Sequence, residues 1–164
     1  MSRLLNIGCG AEVIDRHGWA NVDLGEPRPL TRAKWVESDV SSLPFQAGTV
    51  DLVVASHVLE HLADPAAALR EWLRVLKPGG ELLVAVPDTS KEGEWIAAHL
   101  VTWHQRGRSA LEEHRSEFTQ DTLEKALHDA GCVKVFTTDP RARWELPGKA
   151  LWQATASGRK AVRS

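Results

Sequence analysis

Long apolar runs, cysteine and an excess of charge of either sign are what this 164-residue sequence lacks. No apolar run approaches the ~20 residues of a membrane-spanning helix, so we expect no contact with a membrane. The formal net charge of -2 gives no general electrostatic reason to bind nucleic acid. Two cysteines indicate no disulfide framework, and residues 1–3 leave no room for a signal peptide. The expected compartment is therefore the cytoplasm.

Four sequence motifs are also absent, and each absence argues against a class of site. Neither C-x2-C nor H-E-x-x-H occurs, so we predict no metal site, and a P-loop is missing too. The dinucleotide fingerprint G-x-G-x-x-G needs a third glycine, whereas Gly8-Cys9-Gly10 is followed by Ala11-Glu12-Val13. Glu12 would also bring a negative charge near a pyrophosphate. A nicotinamide-dependent dehydrogenase is therefore a weak hypothesis.

What the sequence contains is an alternation of strand and helix patterns. Residues 4–7 form an apolar run that ends at two glycines, and residues 50–55 form a β-branched run typical of a buried strand. Asp64-Pro65 and Thr119 mark the starts of two helices. Such an alternation predicts an α/β fold with a mainly parallel sheet. The last two strands are joined by a helix-free segment of about ten residues, so at least one strand pair should be antiparallel.

The predicted domain organisation is simple. A single domain covers residues 1–156, in which residues 88–117 are the least regular part and form an insertion near the site. Within this domain we expect a short helix at about residues 11–17 and a last strand over residues 150–156. Residues 157–164 are predicted to be a short polar tail with frayed structure.

Acidic residues follow the second and third predicted strands. Asp23 ends the second strand and Asp39 follows the third, so both should lie at the sheet edge that carries the glycine loop. A carboxylate at the end of the second strand, such as that of Asp23, is well placed to accept hydrogen bonds from both ribose hydroxyls. Asp39 could accept a hydrogen bond from an exocyclic amine, with Val40 and Leu43 beside the base. The alternative for each aspartate is a turn or a helix cap. Cys9, in the glycine loop, is interpreted as a small packed residue rather than a reactive thiol.

These features together resemble the class I S-adenosylmethionine-dependent methyltransferases, and in particular their small type-11-like group. The resemblance is strong over about residues 3–88 and weak beyond them. It rests on an ordered set of segments: Leu5-Asn6-Ile7-Gly8-Cys9-Gly10, Gly18-Trp19-Ala20-Asn21-Val22-Asp23, Asp39-Val40-Ser41-Ser42-Leu43-Pro44-Phe45, Val50-Asp51-Leu52-Val53-Val54-Ala55-Ser56-His57-Val58-Leu59-Glu60-His61 and Arg74-Val75-Leu76-Lys77-Pro78-Gly79-Gly80-Glu81-Leu82.

The resemblance implies a Rossmann-like fold, a cofactor and a set of residues that hold it. The fold is a seven-stranded sheet in the order 3-2-1-4-5-7-6, with strand 7 antiparallel and helices on both faces. The cofactor is S-adenosyl-L-methionine, with its methionine part near the glycine loop, its ribose near Asp23 and its adenine near Asp39. The family often has an acid where Asn6 stands, and the asparagine amide oxygen can serve as an acceptor in its place. The implied cofactor-binding residues are Asn6, Gly8, Cys9, Gly10, Asp23, Leu24, Asp39, Val40, Ser56 and His57.

The implied reaction is in-line displacement of the methyl group by a nucleophile of a small-molecule acceptor. Alignment can supply much of the catalysis, and a general base is needed only when the nucleophile must lose a proton. His57 is the predicted catalytic residue, and its alternative is a histidine that packs or caps after strand 4. His61 is predicted to be structural, and Glu60 to bond a backbone amide or a histidine. A different hypothesis is a cofactor-binding partner or regulatory module without catalysis.

Acceptor choice is predicted to lie in residues 88–117. Trp95, His99 and Trp103 follow one helix face, and Trp144 and His114 could line an aromatic acceptor site with them. Packing of these tryptophans onto the sheet is one alternative, and a homodimer contact through the same face is another.

Overall fold

The computed structural model describes residues 3–10, 12–25, 29–91, 114–137 and 153–162. Two short 3-10 turns, Leu59–His61 and Thr89–Lys91, accompany the helices and strands. Neither helix in these ranges is long and apolar enough to cross a bilayer. The elements in chain order are β1 (Leu4–Ile7), β2 (Trp19–Asp23), β3 (Lys34–Glu37), β4 (Val50–Ser56), α1 (Pro65–Val75), β5 (Leu76–Pro87), α2 (Gln120–Asp129), β6 (Cys132–Phe136) and β7 (Gln153–Lys160).

The seven strands form one sheet in the order β3-β2-β1-β4-β5-β7-β6, which confirms the predicted order. Strands β1 to β5 pair in parallel, and β7 is antiparallel to both β5 and β6. The register pairs Ile7 with Val22 on one side and with Ala55 on the other. The carboxyl ends of β1, β2 and β4 therefore meet at one edge of the sheet, next to the glycine loop.

The main core lies between the sheet and both helices of the described ranges. Leu69 and Trp72 of α1 and Leu123 of α2 are fully buried in the same apolar cluster as β1, β4 and β5. The predicted helix starts are confirmed: the Asp64 side chain accepts from the Ala67 amide, and Thr119 forms a capping box. The opposite face is covered by a smaller cluster that includes Ile14 and Trp19 from the segment around β2.

The predicted short helix after β1 is wrong for residues 12–18, which contain no helix. Side chains hold this backbone in an irregular path instead. The side-chain amide of Asn21 donates through Nδ2 to Ile14 O and accepts through Oδ1 from Ile14 N. The Asp15 carboxylate accepts hydrogen bonds from three backbone amides of the segment that precedes β3. The connection is too short for a full crossover helix, and these bonds replace the ladder that a helix would have supplied.

The last strand extends further toward the C-terminus than predicted. β7 runs to Lys160, so residues 157–160 are paired strand and not a frayed tail. A Cβ at Gly158 would lie 2.8 Å from Cys132 Cβ, which explains how a glycine permits close contact between β6 and β7. Lys160 Nζ also donates to Leu76 O over 2.7 Å and anchors the strand end. The sequence predicted a frayed tail here because residues 157–160 are mostly polar or small.

Part of the predicted insertion lies outside the described residues. Trp95, His99 and Trp103 belong to that part, and Trp144 also lies outside the described residues, so the aromatic acceptor site and the homodimer face stay predictions. His114 and the residues after it are described, and Thr89 N donates to Phe118 O over 2.9 Å. The two ends of the insertion are thereby held together beside β5.

Candidate functional site

The glycine loop after β1 has a conformation that its glycines require. Gly8 and Gly10 have φ values of 60° and 47°, in the left-handed region that favours glycine. A Cβ at Gly8 would lie 2.3 Å from Val58 Cγ2, so the loop after β4 packs directly on the glycine loop. A Cβ at Gly10 would meet nothing within 4 Å. The loop is closed toward the core and leaves space at Gly10.

Asp23 joins the end of β2 to the glycine loop. Its Oδ2 accepts from the Gly10 amide over 2.8 Å, and its Oδ1 accepts from the Gly25 amide over 3.0 Å. A carboxylate oxygen can accept two hydrogen bonds, so each oxygen keeps one acceptor position. Leu24 beside it is 68% exposed, which is unusual for a leucine and gives this edge an apolar surface.

Asn6 and Cys9 support the loop from inside. The Asn6 amide donates to Glu12 O over 2.8 Å and to Asn21 Oδ1 over 2.9 Å. Its nitrogen therefore braces the segment after the loop and does not point to a ligand. Cys9 is buried, which agrees with a small packed residue, and its carbonyl accepts from the Glu12 amide.

The segment after β3 is fixed by α1. Trp72 Nε1 donates to Val40 O over 2.8 Å in the buried core, so the Val40 backbone is anchored. Asp39 is exposed, and its Oδ1 accepts from the Ser41 amide over 2.7 Å, as in the turn that was the alternative for this residue. The Asp39 carboxylate keeps acceptor positions beyond this bond, and Val40 packs in the main core. Glu71 braces the next residues by accepting from the Leu43 amide, and hydrogen bonds from Arg74 lower the pKa of the Glu71 carboxyl.

His57 marks a sharp change of direction after β4. Its φ of 55° is rare for a residue with a side chain, although histidine is among the types that adopt it. Its amide donates to Ala85 O over 2.9 Å, which fixes the backbone to the end of β5. His57 Nδ1 lies 3.4 Å from Glu60 Oε1, which is a contact but not a hydrogen bond. The predicted hydrogen bond of the Glu60 carboxylate is therefore wrong within the described residues.

Two further histidines, His61 and His114, lie near Glu60. His61 Nε2 is 3.7 Å from Glu60 Oε1, and the rings of His61 and His114 meet edge to face with centroids 4.9 Å apart. The sequence placed His114 in an aromatic acceptor site and His61 in a structural role, and it did not bring the two together. The available signal was the spacing of His57, Glu60 and His61, but nothing in the sequence joined His114 to it.

A cleft of about 560 Å³ lies elsewhere, between the start of α1 and the end of α2. It is lined by residues such as Leu69, Phe118 and Ala130. None of the predicted cofactor-binding residues lines this cleft. The predicted residues instead gather along the carboxyl edge of the sheet, where β1, β2 and β4 end.

Comparison with known proteins agrees with this arrangement. A family model described as a methyltransferase domain matches residues 1–136. The chain belongs to this family. The match confirms the resemblance to class I S-adenosylmethionine-dependent methyltransferases and implies S-adenosylmethionine as the methyl donor.

Among curated proteins, the methyltransferase domain is similar to the ubiquinone/menaquinone biosynthesis C-methyltransferase UbiE of Enterobacter sp. (strain 638). The two are 31% identical over 116 residues, which cover 62% of this chain and 46% of UbiE. The chain thus spans less than half the length of this relative.

Two solved structures show the same fold at low identity. An S-adenosylmethionine-dependent methyltransferase of Thermotoga maritima has a TM-score of 0.64 at 18% identity, over 98% of this chain and 83% of that chain. The [4+2]-cyclase SpnF has a TM-score of 0.64 at 20% identity, over 99% of this chain and 75% of that chain. These likenesses support the fold of the methyltransferase domain and not a particular reaction.

Proposed function

We propose that this methyltransferase domain transfers the methyl group of S-adenosylmethionine to a small-molecule acceptor. The observation that carries the proposal is the Asp23 carboxylate, which is tied to the Gly10 amide and keeps one acceptor position on each oxygen. Two neighbouring ribose hydroxyls are the ligand that such a carboxylate suits. The UbiE relative is named as a C-methyltransferase of quinone biosynthesis, which supports a small-molecule acceptor.

The carboxyl edge of the sheet offers chemistry that suits the donor. The space at Gly10 suits the amino-acid part of the donor, and exposed Leu24 gives an apolar surface for the adenosine part, beside the anchored backbone of Val40. Asn6 and Cys9 act from behind by shaping the loop. The residues proposed to hold the donor are Asn6, Gly8, Cys9, Gly10, Asp23, Leu24, Asp39, Val40, Ser56 and His57.

When bound, S-adenosylmethionine supplies a methyl group on an activated sulfonium. The chain's own residues then have to place the acceptor in line with that group and exclude competing water. Ser56 and His57, at the end of β4, lie on the acceptor side of the glycine loop. His57 is proposed as the catalytic residue, which takes the proton from an acceptor whose nucleophile carries one.

The proposal predicts that Asp23→Ala weakens binding of S-adenosylmethionine by at least about tenfold, because a charge-assisted hydrogen-bond pair is lost. Isothermal titration calorimetry with S-adenosylmethionine and with S-adenosylhomocysteine measures the change. Asp129→Ala, which removes an exposed carboxylate at the end of α2, is the matched control and should bind as the unaltered chain does. Equal affinity of the Asp23 and Asp129 variants would remove the ribose role.

A second candidate is a cofactor-binding partner or regulatory module without methyl transfer. It is favoured by the inward use of the Asn6 amide at a position where an acid is usual. Transfer of a labelled methyl group to a panel of phenol, quinol and amine acceptors separates the two candidates. Binding of the donor without labelled product across the panel would favour the second. A thermal shift with NAD tests the dehydrogenase hypothesis in the same plate.

A further inference from the structure

The carboxylate of Glu60 is buried and has no hydrogen-bond partner among the described residues. Its side chain is 2% exposed, and neither Oε1 nor Oε2 has a hydrogen bond within the part of the chain that the structure describes. Burying a charged carboxylate in this way is costly unless a cation lies beside it. The nearest nitrogens are those of His57 and His61, at 3.4 and 3.7 Å from Oε1, which is beyond ordinary hydrogen-bond length.

The fold brings a further imidazole to this carboxylate from a distant part of the sequence. The backbone carbonyl of Glu60 accepts from the Arg115 amide over 2.8 Å and from the Ser116 amide over 3.1 Å. These two bonds place His114 next to the 3-10 turn that holds Glu60 and His61. One carboxylate oxygen and one nitrogen of each of these two histidines then lie within 4.8 Å of one another.

We propose that Glu60, His61 and His114 bind one divalent transition-metal ion, with zinc as the best chemical match. Imidazole nitrogen suits zinc, iron, cobalt and nickel, whereas magnesium and calcium prefer sets made of oxygen alone. Bonds of about 2.1 Å place tetrahedral ligand atoms about 3.4 Å apart, so rotation of these side chains by about an ångström closes the set. The ion supplies the charge that the buried carboxylate lacks.

Three protein ligands leave a coordination position for a fourth. The set lies beside His57, which contacts the same carboxylate oxygen at the end of β4. This step of the inference rests on the proposed function: the open coordination position would hold an oxygen of the methyl acceptor. Acceptors with a hydroxyl or enol oxygen near the methylated atom are therefore the favoured class.

The metal site is tested on the 164-residue chain without a histidine tag, after removal of metal with a chelator. Calorimetric titration with Zn²⁺ should give one site per chain, and Co²⁺ should give the visible absorption of a site with nitrogen ligands. Glu60→Gln and His114→Ala should each weaken Zn²⁺ binding by at least about tenfold. The matched control is His128→Ala, which removes an exposed imidazole near the end of α2 and should change nothing.

The outcomes separate the metal site from the proposed function. Zn²⁺ binding that is equal in the Glu60, His114 and His128 variants, or absent from the unaltered chain, overturns the site. Melting temperatures of the metal-free variants show that each is folded. Donor binding is measured separately by calorimetry on the metal-free chain, so its failure with an intact Zn²⁺ site would overturn only the function.

Discussion

Asp23 and Glu60 lie near the same edge of the sheet, but the chain holds the two carboxylates in opposite ways. Asp23 follows its strand directly and accepts amides from Gly10 and Gly25, both close in sequence. Glu60 is buried, has no hydrogen bond to its carboxylate among the described residues, and faces His57, His61 and His114. The first site is complete as local structure, whereas the second needs a residue from beyond β5.

The contrast teaches that the two sites have different requirements. The region around Asp23 is built to accept hydrogen bonds from neutral hydroxyl groups, because the Gly10 and Gly25 amides already donate to the carboxylate. The region around Glu60 differs, since its buried carboxylate accepts no hydrogen bond among the described residues and is surrounded by imidazole nitrogens. The two regions touch where Val58 packs on Gly8, which gives one position from which both can be disturbed.

The largest effect is expected at this contact. Gly8→Ala places a Cβ 2.3 Å from Val58 Cγ2 and imposes a φ of 60° on a residue with a side chain. Overpacking and left-handed strain together should reduce the free energy of unfolding by about 2–5 kcal/mol and abolish donor binding. Urea titration and calorimetry measure the two effects. Gly48→Ala is the matched control for strain alone, since its φ is 70° and its added Cβ meets nothing within 4 Å. Equal losses in both variants would show that the Val58 contact is unimportant.

The fold was predictable in its order because local signals were strong. The β-branched pattern of β4, the Asp64-Pro65 helix start and the glycines after β1 each report a local preference, and the structure confirms all three. The helix expected at 11–17 failed because the side chains of Asn6 and Asn21, in the two flanking strands, compete for its backbone groups. A local pattern cannot report such competition.

The candidate site was predictable to the same extent. Asp23 and the glycine loop belong to neighbouring strand ends, so a parallel sheet brings them together by necessity. The meeting of His114 with Glu60 depends on two backbone hydrogen bonds to a segment 54 positions later in the sequence. No spacing rule predicts a contact of this kind, and the sequence accordingly predicted no metal site.

An intermediate effect is expected from His57→Ala, which separates the two regions. If His57 acts on the acceptor, turnover should fall by about a hundredfold, the size of a general-base contribution, while donor affinity stays unchanged. Single-turnover transfer of labelled methyl groups and calorimetry provide the two readouts. His17→Ala, an exposed histidine of the loop before β2, is the control. Loss of donor affinity in parallel with turnover would instead assign His57 to binding.

The smallest effect is expected from Asp15→Asn, which tests only the hydrogen bonds that hold the loop after β1 to the segment before β3, near Asp23. Backbone amides of Ala33, Arg32 and Thr31 and the Thr31 hydroxyl donate to this carboxylate and lower its pKa well below the ordinary 3.8. A lowered pKa in the folded state stabilises the fold above the unfolded value and loses that contribution as pH falls toward the folded value. At pH 7 the variant should therefore melt about 1–2 °C lower than the unaltered chain, a small shift because the site is exposed. The difference should shrink below about pH 4. Asp129→Asn on α2 serves as the control, and a difference that grew on acidification would contradict the assignment.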